Sequence, residues 1–95
     1  MKVLFFSILT LVGCSTAPGI LTDAGKQVEV FNTKPGSECS VVGKVVGDND
    51  KGSMDLARNH ARNLAGKIKA NAIHITQEVP NGQKAQVFAT AYYCE

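Results

Sequence analysis

A single stretch of this chain repeats its apolar side chains at helical spacing, and strand-like stretches flank it on both sides. Met54, Ala57, Ala61, Leu64, Ala65 and Ile68 fall on one arc at about 100° per residue, which predicts a helix from Met54 to about Lys69. Ser53 stands where an N-cap belongs, its hydroxyl able to accept from the free N–H groups of the first turn. Asp55 and Lys67 carry the charge each helix end favours. The stripe is mostly alanine, so this helix can lie close to a neighbour. Before it, Gln27–Asn32 alternates and Cys39–Gly47 is β-branched; after it, Ala72–Glu78 alternates and Lys84–Cys94 runs long, so all four read as strands. Pro35-Gly36 marks a turn, and Pro80-Asn81-Gly82 a turn of the hairpin kind. Gly43 and Gly47, inside the second strand, predict a bulge or the close approach of another element. The order is β-β-α-β-β. The economical fold is α+β, a small antiparallel sheet with one helix packed on one face, formed by a single domain of residues 26–95.

The N-terminus carries a different kind of information. Lys2 precedes an apolar run, Val3–Gly13, which is shorter than the roughly 20 residues of a membrane span but has the form of a secretory signal. Leu11-Val12-Gly13-Cys14 resembles the bacterial lipobox. The resemblance implies that residues 1–13 are a signal peptide, that cleavage falls between Gly13 and Cys14, and that Cys14 carries lipid such as palmitate. Residues 14–25 then form a lipidated tether. Ser15, where an aspartate would resemble an inner-membrane retention signal, implies the outer membrane of a Gram-negative cell, on its periplasmic side. The alternative is an ordinary signal peptide with a stray cysteine. With Cys14 taken, the chain's three cysteines leave Cys39 and Cys94. In an oxidising compartment such a pair reads as one disulfide. The competing reading, a metal or redox pair, lacks CxxC spacing and a neighbouring histidine.

The formal net charge is only +2, which gives no footprint for nucleic acid. His60 lies at the edge of the helical arc and His74 on the strand face opposite Ile73 and Ile75. A zinc site needs three or four converging ligands, so no metal and no cofactor is expected. Ser53 lacks a GxSxG setting, and no catalytic set emerges. Arg58, Arg62 and Lys69 form a row on one helix flank that can meet phosphates of lipopolysaccharide or an acidic partner; a solvated helix face accounts for the same row. Tyr92 and Tyr93 can stack on peptidoglycan sugars or pack as ordinary strand side chains. An open sheet edge can recruit an extended peptide. Asn71, just past the helix, suits the left-handed conformation that ends helices.

Gly25-Lys26-Gln27-Val28, Pro35-Gly36, Glu38-Cys39, the helix Ala57–Ala65 and the closing Tyr93-Cys94 together resemble a family of small proteobacterial lipoproteins, domain-of-unknown-function family 4156. Lys67–Ile73 resembles the helix-to-strand junction of the outer-membrane stress-sensor lipoprotein of the Rcs phosphorelay. The lipobox together with the absence of a catalytic set points to a non-enzymatic outer-membrane lipoprotein that binds another envelope component: a protein, lipopolysaccharide or peptidoglycan. The resemblance to the Rcs sensor implies an envelope-stress-sensing role as the alternative, and a small periplasmic enzyme is the third class.

Overall fold

The computed structural model describes residues 19–95. A short helix α1 (Asp23–Lys26) leads into β1 (Glu29–Phe31); β2 (Cys39–Asn49), α2 (Met54–Lys67), β3 (Ala72–Asn81) and β4 (Lys84–Cys94) follow. The four strands form one sheet in the order β1-β3-β4-β2. The fold is α+β, with α2 laid across one face of the sheet. Ser53 caps α2 as its position predicts, accepting a hydrogen bond from the Leu56 N–H.

The core follows from side-chain size. Ala57, Ala61 and Ala65 on α2 are fully buried, and they meet Val45, Ile73, Val87, Ala89 and Ala91 from the sheet. Small residues on both surfaces bring the helix backbone onto the sheet. A Cβ placed on Gly47 would lie 2.2 Å from the Ala57 carbonyl oxygen and 2.5 Å from the Ala61 nitrogen. Gly47 is therefore the close approach that the sequence predicts, and the β2 irregularity falls between Val41 and Gly43, supplying the bulge.

The sheet is mixed rather than antiparallel. β3 and β2 both run antiparallel to β4, but β1 lies parallel to β3, pairing Glu29 with Ala72 and Phe31 with His74. No hairpin joins β1 to β2, which occupy opposite edges. Residues 32–38, with Pro35 buried, carry the chain across three strand spacings, roughly 14 Å. β1 is also shorter than Gln27–Asn32, because Gln27 closes α1 and the buried Val28 leads into the strand.

Residues 19–25, expected as tether, belong to the packed domain. The Asn63 side chain donates to the Ile20 carbonyl at 2.8 Å and accepts from the Thr22 N–H at 2.9 Å; Asn59 donates to the Gly19 carbonyl at 3.1 Å. A Cβ on Gly66 would meet Ala24 backbone at 2.8 Å, so the incoming segment rests directly on α2. Residues 1–18, including the expected signal peptide, Gly13 and Cys14, lie outside the described residues.

Candidate functional site

The predicted basic row does not survive as a row. Arg58 reaches β3, with its Nε 2.5 Å and Nη2 2.9 Å from the two Glu78 carboxylate oxygens, and its Nη1 2.7 Å from Asp55. These hydrogen bonds hold the Glu78 carboxyl below its ordinary range and raise the Arg58 guanidinium further. Arg62 turns to main chain instead, its Nε donating to the Val28 carbonyl at 3.0 Å. Lys69 lies beyond the helix end, exposed, at φ 73°. Two of the three cations thus fasten the incoming segment and β3 to α2, and the three do not converge.

Other expected positions resolve in the same structural direction. Cys39 and Cys94 are disulfide-bonded, standing opposite each other in the β2–β4 ladder with Cα atoms 4.0 Å apart. Lys69, not Asn71, takes the left-handed turn past α2. The Asn71 side chain clamps the end of β4, accepting from the Cys94 N–H at 2.7 Å and donating to its carbonyl at 2.8 Å. His60 Nδ1 accepts the Asp48 N–H at 3.0 Å. Among the described residues, no group of three or more His, Cys, Asp or Glu is placed to hold a metal.

The surface left over is the face of the sheet away from α2. Alternation from the buried Val45 and Gly47 puts Lys44 and Val46 on that face, while Asp48, at the margin of the strand, has its carboxylate 3.2 Å from His60 Nδ1. Register then builds two rows across the strands. Phe31, His74, Thr90 and Lys44 form one; Gln77, Phe88 and Val46 form the other. A shallow depression of about 440 Å³ lies between them, lined by Lys44, Val46, Gln77, Phe88 and Thr90. Val46 is 42% exposed, and Val41, nearer the disulfide, is 63% exposed. This surface combines apolar side chains with neutral and basic groups. The separation of Lys44, Val46 and Phe88 from Val45, Val87 and Ala89 was present in the alternation. What the residues alone left open was which set the helix covers.

Two further features of the sheet are open. β1 stops at Phe31 while β3 continues to Asn81, leaving a cleft of about 640 Å³ beside Val30, Asn32 and Gln77 with Arg58 and Glu78 at its wall. β2 is a terminal strand along its whole length.

The chain is similar to the uncharacterized protein YjeI of Escherichia coli strain K12, 27% identical over 103 aligned positions that take in 90% of this chain and 87% of that protein. The YjeI of Shigella flexneri gives the same identity and coverage. No family model matches the chain, and no solved structure matches it.

Proposed function

We propose that this chain is a lipid-anchored protein of the bacterial outer membrane that binds another envelope protein through the open face of its sheet. The observation that carries this reading is where the chain enters the domain. Gly19 and Ile20 are hydrogen-bonded to Asn59 and Asn63 of α2, and α2 covers the opposite face of the sheet from Phe88. Four residues separate Cys14 from Gly19, a reach of at most about 18 Å when extended. Lipid on Cys14 would therefore draw the helical layer toward the bilayer and turn the open face outward. Two or three acyl chains hold such an anchor far more firmly than one.

Binding suits this geometry better than catalysis. Arg58, Arg62, His60 and Asn71, the polar side chains that could have formed a reactive site, are each engaged in fastening one element to another. The open face presents area, not a convergent set of reactive groups. The test is a photo-crosslinking residue placed at Phe88 or Gln77 of the full-length protein in living cells. Discrete protein adducts are expected at both positions, and none at Lys67 on the exposed side of α2. Adducts from Lys67 alone, or none from the open face, overturn the proposal.

A further inference from the structure

The free edge of β2 is complementary to itself, and we propose that two copies of this chain pair there, β2 antiparallel to β2, with Val46 opposite Val46 at the two-fold axis. The inference rests on the β2 edge alone, and needs neither the lipid nor a partner on the open face. The Asp48 N–H meets His60 Nδ1 at 3.0 Å instead of joining the ladder with β4, so the main-chain groups of Asp48 point out of the sheet. Antiparallel alternation sends those of Val46 and Lys44 out on the same side. The side chains of Lys44 and Val46 stand on the open face, because Val45 and Gly47 are buried under α2, while the Asp48 carboxylate, at the margin of the strand, lies 3.2 Å from His60 Nδ1 and is still 42% exposed.

Charge then selects the register. Pairing centred on Lys44 would oppose two lysines, and pairing centred on Asp48 would oppose two aspartates, which is unfavourable directly across strands. Pairing centred on Val46 sets Lys44 of each copy opposite Asp48 of the other. It also brings together the two half-exposed Val46 side chains. The bulge between Val41 and Gly43 bends the strand just before this segment, so the straight, pairable stretch is Lys44 to Asp48. Lysine on a bare edge normally blocks indiscriminate pairing; here the register centred on Val46 is the one that sets each lysine opposite an acid. The His60 imidazole competes with the second copy for both the Asp48 N–H and the Asp48 carboxylate, which keeps the association weak and reversible.

The test is sedimentation of the full-length protein in detergent over a wide concentration range, with two charge variants. The wild type is expected to dimerise. Lys44→Glu should weaken the dimer on the order of tenfold, and Lys44→Glu combined with Asp48→Lys should restore it. In parallel, full-length Val46→Cys should oxidise to a crosslinked dimer while Lys44→Cys alone should not. A monomer at every concentration, a dimer indifferent to Lys44→Glu, failure of the double reversal to restore it, or self-crosslinking through Lys44→Cys overturns the proposal.

Discussion

At the scale of single residues, stability depends on a few atoms that admit no addition. Gly47 is the sharpest case, because the atoms a Cβ would strike are α2 backbone, which cannot rotate away. Gly47→Ala should cost about 3 kcal/mol, at the upper end of overpacking effects, and denaturant unfolding measures it. The same change at Gly82, a hairpin position with nothing within 4 Å, meets no such wall and is opposed only by its φ of 61°. The Arg58–Glu78 pair is the residue-scale electrostatic feature. Its two side chains are 38% and 32% exposed, so screening holds its contribution to about 1 kcal/mol or less. Folding lowers the Glu78 pKa. The pair's stabilisation is therefore complete above the ordinary glutamate pKa, and fades as pH falls through the lower, folded-state value. Glu78→Gln should remove that part of the acid dependence and leave the neutral-pH fold intact, as read by unfolding measured along a pH series.

At the scale of elements, the outcome separates what local pattern determines from what it does not. α2 and its cap were legible because Ser53, the alanine stripe and Lys67 all mark the same helix. The helix ends at Lys67, two residues short of the expected Lys69, because Lys69, an ordinary helix former, takes the left-handed conformation expected of Asn71. Asn71 is instead fixed by β4 main chain 23 residues away, a partner no local signal names. β4 was legible along its whole length. The sequence places Pro80 and Asn81 in the turn, but both belong to β3, which ends at Asn81, and the hairpin loop is Gly82-Gln83. β1 was legible as a strand but not as a parallel one, since alternation says which residues share a face and nothing about which neighbour they choose. The candidate face was half legible for the same reason. The disulfide joins elements the sequence had already set far apart, with a separation of 55 residues. Replacing both Cys39 and Cys94 with serine should lower stability by about 2–4 kcal/mol, the typical range for a disulfide, measured against wild type in denaturant.

At the scale of the whole molecule, the two sides of the sheet have different surroundings. One side receives the incoming chain: Ile20, 58% exposed, sits where residues 19–25 lie on α2. The other side carries the Lys44–Val46–Phe88 surface, which no other element among the described residues covers. No helix among the described residues is long and apolar enough to cross a membrane; the attachment proposed at Cys14 would supply a bilayer contact of its own. Anchoring there would sort the two sides into membrane-near and membrane-far. The most direct measurement uses the mature protein reconstituted in vesicles containing quencher-bearing lipid headgroups, with a fluorophore on Ile20→Cys or on Phe88→Cys. The expected result is strong quenching at position 20, little at position 88, and loss of both protein and quenching from the vesicles when the acyl chains are removed. Equal quenching at the two positions, stronger quenching at position 88, or a protein that stays in solution without binding the vesicles would contradict it.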